Sequence, residues 1–156
     1  MQPDTPQRYG TLTRLLHWSM AACFLFMFGT AFAWNANEEL MMRLINPHKA
    51  AGFLLMFLAV CRVLWALLQR QHRPANNLAA KLGHWALYAL MLAVPALGIA
   101  RQIGRGQDNP SLIELGNQFH GELAFVLLAL VAGHIAMVVV HAVKGESVLS
   151  RMYGKS

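Results

Sequence analysis

Seven histidines stand in a chain of 156 residues that is 56% hydrophobic. His17, His48, His84, His120, His134 and His141 fall within or at the edges of long apolar runs, and only His72 lies between them. An ionisable ring in hydrocarbon is costly, so rings in such runs are expected to face a helical interior and to have partners there. Any one of them is explained well enough as a hydrogen-bonded packing residue; six at matched depths point to ligation. His48 and His120 lie at one end of the second and fourth apolar runs, and His17 and His84 near the opposite end of the first and third. His134 follows His120 by 14 residues. At about 100° and 1.5 Å per residue, that spacing returns to nearly the same helix face about 21 Å further along. One helix thus offers an imidazole at each of two levels, and His141 continues the stripe to the surface.

Two imidazoles on opposite sides of a ring are the axial ligands that haem iron takes when the task is electron transfer. The neighbours suit a flat macrocycle: Ala50, Ala51 and Gly52 follow His48, while Gly121 and Gly133 adjoin His120 and His134. A structural zinc site needs four nitrogen or sulfur ligands in one tight cluster, whereas these histidines are spread in pairs. Carboxylates are nearly absent from the runs, Glu122 being the only one close, which disfavours a carboxylate-bridged centre. The outer pair, His48 with His120, follows from depth alone, because no other histidine shares that level. At the other level His17, His84 and His134 leave two pairings open. His17 and His84 sit in similar Leu-x-His-Trp segments, so a pseudo-repeat would pair them; His134 would then be left as an unexplained ring deep in the bundle.

The elements that must carry these residues are membrane helices. About 20 apolar residues cross a bilayer as a helix, and four such runs are present, approximately residues 12–34, 48–69, 81–103 and 119–143. They predict an all-α membrane protein, a four-helix bundle forming one domain over residues 1–156. Trp18 and Trp34 are placed as interfacial anchors. The first run is too long, and too weakly basic in front, for a cleaved signal peptide. Asn46-Pro47 reads as the start of the second helix, and Pro95 inside the third is tolerated where neighbours satisfy the freed backbone. Asn35 to Pro47, Arg70 to Ala80 and Gly104 to Gln118 read as loops. Cys23 and Cys61 lie mid-span and read as small core hydrophobes.

The formal charge of +6 has no soluble basic module to serve, so nucleic acid is not an expected partner. With four spans, both ends and the middle loop share a side. That side holds Arg8, Arg14, Arg70, Arg73, Lys81, Lys144, Arg151 and Lys155, against Arg43, Lys49, Arg101 and Arg105 opposite. The excess places both termini in the cytoplasm. Arg62 is the exception, a charge within the second span, and such a residue is a functional candidate by default; snorkelling to the interface is the plainer alternative.

The segments Leu15-Leu16-His17-Trp18, His48 with Gly52, Cys61-Arg62-Val63, Val94-Pro95-Ala96-Leu97-Gly98 and His120-Gly121-Glu122 leading to Gly133-His134 resemble the bacterial cytochrome b561 family. That family is related to the cytochrome b subunits of hydrogenases and formate dehydrogenases. The resemblance spans nearly the whole chain, and the histidine spacing on the fourth helix is its most specific element. It implies two haem b groups, an outer one held by His48 and His120 and an inner one held by His17 and His134, in the bacterial inner membrane. Arg62 is then a candidate partner for an inner haem propionate, and Lys49, with Arg43, for an outer one. His84 is left beside the inner level as a candidate quinone contact.

Two haems, one near each surface, make a wire that needs an outside donor and acceptor, since no flavin, nicotinamide or iron–sulfur fingerprint occurs. Membrane quinone, such as ubiquinone, is the expected acceptor. The resemblance includes members that oxidise superoxide on the periplasmic side, and Arg43, Lys49, Arg101 and Arg105 would steer a small anion there, although Glu38, Glu39, Asp108 and Glu114 share those loops. Three readings follow: a superoxide:quinone oxidoreductase, a non-enzymatic electron-carrier or anchor subunit for a dehydrogenase or a periplasmic cytochrome, and a haem-free bundle that transports or scaffolds.

Overall fold

The computed structural model describes residues 2–74, 77–146 and 148–153. The side chain of Trp34 and the whole of Lys155 lie outside the described residues, and with them the interfacial role expected of the first and the inner-side charge of the second. The described chain forms α1 (Thr11–Ala36), α2 (Glu38–Leu68), α3 (Leu78–Gly106), α4 (Pro110–Val143) and the short α5 (Ser150–Tyr153). The first four are long and apolar enough to cross a membrane. Close helix packing joins α1 to α2, α2 to α3 and α3 to α4.

Two of the expected loops are largely helical. Residues 38–46 extend α2 outward, because the Asn37 side chain accepts from the Glu39 N–H and caps the helix there. Glu38 and Glu39 occupy the first turn, where acidic residues complement the helix dipole. Pro47 therefore stands inside α2 rather than at its start. It removes one intrahelical bond and occupies an exposed position. Likewise α4 begins at Pro110, capped by Asn109, whose side chain accepts from the Leu112 N–H. The turn between α3 and α4 is thereby reduced to Gln107, Asp108 and Asn109. Asp108 takes φ 50°, the left-handed conformation that short polar side chains tolerate best after glycine.

This tight hairpin is closed by glycines. A Cβ on Gly104 would meet the Ile113 backbone nitrogen at 2.9 Å, and one on Gly116 would meet the Leu97 carbonyl oxygen at 2.7 Å. Below it, two apolar clusters fill the middle of the bundle. One holds Met20, Leu55 and Ala59, with Cys23 packed against it; the other holds Phe24, Val94 and Leu127. Leu127 stands seven residues from both His120 and His134, so this layer separates the two histidine levels.

The end carrying both termini, termed inner, is tied by buried polar groups. Asp4 is 3% exposed and accepts from the Gly10 N–H, the Thr13 hydroxyl and Arg73 Nε at 2.6, 2.9 and 3.1 Å. Trp65 donates its indole N–H to Thr13 Oγ1, and the Tyr9 N–H donates to the Arg151 carbonyl. Trp18 stacks on Tyr153, which docks α5 against α1. The N-terminal segment, α1, α2, the α2–α3 connection and α5 thus meet in one cap.

Candidate haem sites

Burial of ring nitrogens within these helices demands partners, and the outer level supplies them. His48 on α2 and His120 on α4 face each other with ring centres 6.4 Å apart. His120 Nδ1 lies 2.9 Å from the Val94 carbonyl oxygen. A carbonyl only accepts, so Nδ1 carries the proton and Nε2 the lone pair. His48 Nδ1 lies 2.8 Å from Thr30 Oγ1, whose own proton goes to the Met27 carbonyl, also at 2.8 Å. Ligation through His48 Nε2 requires that same tautomer, with Nδ1 donating to the Thr30 oxygen. Metal-ligating histidines are commonly held this way, by donation from the nitrogen that does not bind.

Val94-Pro95-Ala96-Leu97-Gly98 acquires a physical explanation here. Val94 supplies the carbonyl, and Gly98 makes room for the ring: a Cβ there would stand 3.1 Å from both Cε1 and Nδ1 of His120. The lining of the adjoining cleft includes Met27, Lys49, Gly52, Arg101 and Gln102. Arg101 Nε is buried without a hydrogen-bond partner, a donor left over for an anionic group. Arg43, by contrast, is exposed and ion-paired with Glu39 at 2.6 Å. The cleft between the two rings is narrow, about 40 Å³, with the unbranched side chain of Met27 in its lining.

At the inner level His134 meets two rings, His17 at 6.3 Å and His84 at 5.7 Å between centres. A metal–imidazole bond of about 2.0 Å, extended to the ring centre, puts trans imidazoles about 6.3 Å apart. The His48–His120 and His17–His134 separations fit that span; His84–His134 is shorter. Arg62 is 7% exposed and donates from Nη1 to the Thr13 carbonyl at 2.7 Å. That carbonyl is also the α-helical acceptor for the His17 N–H, so Arg62 braces the turn bearing His17. His141 stands apart, paired with Glu146 at 2.7 Å. Among the described residues, no three His, Cys, Asp or Glu side chains are grouped to hold a metal ion; the ring contacts are pairwise across the bundle.

The family model described as prokaryotic cytochrome b561 matches residues 8–155. The chain belongs to the prokaryotic cytochrome b561 family. It is also 31% identical to cytochrome b561 homolog 2 of Escherichia coli (strain K12), over 98% of this chain and 95% of that protein. It is accordingly a multi-pass membrane cytochrome of a haem b-binding family, built for electron transfer through haem across the bilayer. The donor set of this cytochrome suits haem b: paired imidazoles with Nδ1 committed at the outer level, a glycine cradle, and an orphaned guanidinium N–H.

Thr30 was the outer-site residue that the sequence pattern did not single out, and Arg101 was expected there only as a steering charge on the outer face. Both had a signal. Thr30 is the lone hydroxyl in Phe24–Trp34, and a hydroxyl in a span must find a partner. Arg101 lies three residues after Gly98, on the same side of α3.

Proposed function

We propose that this cytochrome carries two haem b groups, one between His48 and His120 and one between His17 and His134, and passes electrons from a periplasmic donor to membrane quinone. The observation that carries the reading is the pair of ring separations, 6.4 and 6.3 Å, at two levels of one bundle. Haem, when bound, supplies reversible one-electron transfer, its potential set by axial ligands, hydrogen bonds and burial. The charge excess supports an orientation with both termini cytoplasmic and the His48–His120 level facing the periplasm.

Each residue then has a task. Lys49 and Arg101 hold the outer propionates, and the apolar lining around them excludes water. Arg62 fixes the turn bearing His17 and turns its remaining N–H groups toward an inner propionate. His84 donates to a quinone carbonyl at the inner level. Superoxide is the donor that the cationic outer cleft favours, with ubiquinone the acceptor. Two superoxide ions each yield one electron and leave as dioxygen, and the quinone takes two electrons and two protons to become quinol.

The test is rapid mixing of the oxidised, haem-loaded protein with superoxide. Reduction is expected to be fast and to slow as ionic strength rises, because salt screens exposed charges beyond about 8 to 10 Å. Arg105→Gln, which removes an exposed cation at the end of α3, is expected to slow reduction and leave the absorption spectrum unchanged. Added ubiquinone is expected to reoxidise the protein. Slow reduction indifferent to salt would remove superoxide as the donor.

A further inference from the structure

Thr30 occupies a position that ligation alone does not require. It is 5% exposed, and its hydroxyl stands between the Met27 carbonyl and His48 Nδ1, each at 2.8 Å; ligation through His48 Nε2 makes Nδ1 the donor to Thr30 and leaves the hydroxyl proton to the Met27 carbonyl. A hydroxyl that donates becomes a stronger acceptor, because linked hydrogen bonds polarise one another. The chain thus offers His48 a reinforced acceptor made by a side chain, where His120 has a backbone carbonyl that no substitution removes.

We infer that Thr30 is a positioning residue that sets the potential of the outer haem through the Thr30–His48 hydrogen bond. The inference rests on the proposed ligation by His48. Donation from Nδ1–H to Thr30 increases the electron density at Nε2 and raises the basicity of the ring as a ligand. A more basic ligand stabilises ferric over ferrous iron, so the bond holds the outer potential down. Such a setting suits a centre that must hand its electron inward. The Met27 carbonyl also lies within reach of the His48 ring, so the contribution of the hydroxyl is a question of degree that a single substitution answers.

The experiment is a spectroscopic redox titration of the purified, haem-loaded full chain in four forms: wild type, Thr30→Val, Thr30→Ser and His48→Ala. Valine keeps the shape and removes the hydroxyl, whereas serine keeps the hydroxyl. Thr30→Val is expected to retain both haems and to shift the ferric–ferrous equilibrium of the outer one toward ferrous by about tenfold, at the low end of what such partners contribute to metal affinity. For one electron that is a rise of about 59 mV. The inner haem should keep its potential, and Thr30→Ser should return the outer one to the wild-type value. An outer potential in Thr30→Val that is unchanged or lower would overturn the inference, because the Met27 carbonyl alone would then suffice. His48→Ala separates the two claims. If it leaves the outer haem in place, the ligation reading has failed; if it removes that haem while Thr30→Val changes nothing, only the role of Thr30 has failed. Should Thr30→Val not fold, Thr30→Ser and Thr30→Ala are compared: alanine must show the upward shift and serine must not, or the inference is lost.

Discussion

Replacing His120 by alanine is expected to remove one haem from each chain and to leave the other with its spectrum and potential intact. The ring stands opposite His48 at 6.4 Å with Nδ1 committed to the Val94 carbonyl, so its loss removes one of the two imidazoles proposed to hold the outer haem. His48→Ala should have the same result. His17→Ala and His134→Ala should remove the inner haem and spare the outer, while His141→Ala, at a ring paired with Glu146, should keep both. His84→Ala is the discriminating variant. His84 lies 5.7 Å from His134 between ring centres, and its alanine variant should keep both haems low-spin. If the His84 variant loses the inner haem and the His134 variant keeps it, the pseudo-repeat pairing of His17 with His84 is the correct one. Absorption spectra with haem measured per chain read all six variants.

Gly116→Val should be the most damaging single change away from the histidines. A Cβ at that position would stand 2.5 Å from Arg101 Cβ and 2.7 Å from the Leu97 carbonyl oxygen. Neither can swing aside as the tip of a flexible side chain does, so α3 and α4 must part. Overpacking of a tight contact costs about 1 to 3 kcal/mol, and a backbone obstacle puts this case at the upper end. The damage should also reach the outer site, since α3 carries Arg101, the Val94 carbonyl and Gly98 against His120 on α4. The expected result is a lowered melting temperature in detergent together with loss of the outer haem. Gly106→Val, at an exposed position where a Cβ meets nothing within 4 Å, should be nearly neutral in both measurements. Equal stability of the two variants would show that the crossing at Gly116 is looser than described.

The four spans were legible because lipid imposes a length and a polarity that few other constraints imitate. Their outer ends were not. Residues 38–46 and 110–118 are mixed in polarity, as loop and exposed helix both are, and Asn46-Pro47 carries a start signal that the Asn37 cap overrides. The histidine levels were legible from depth, since helix rise converts sequence position directly into height. The choice of partner at the inner level was not, because three rings share it and only the packing of α1, α3 and α4 decides which separation suits an iron. The supporting residues were least legible. Thr30 reaches His48 across 18 residues of sequence, and Arg62 reaches Thr13 across 49; no local pattern announces such pairs. Arg101 was read as an exposed steering charge, yet its Nε is buried in the bundle. The residue lines the cleft beside His48 and His120.

The central claim is two haems at two levels of one four-helix bundle, and haem counted per chain in the purified protein tests it most directly. With no Cys-x-x-Cys-His attachment sequence in the chain, acid–acetone should extract all of the haem. Quantified against protein, the extract should give about two haem b per chain, both low-spin before extraction as bis-imidazole ligation requires. Saturation at one haem per chain would contradict the account, and so would haem that stays with the protein after extraction.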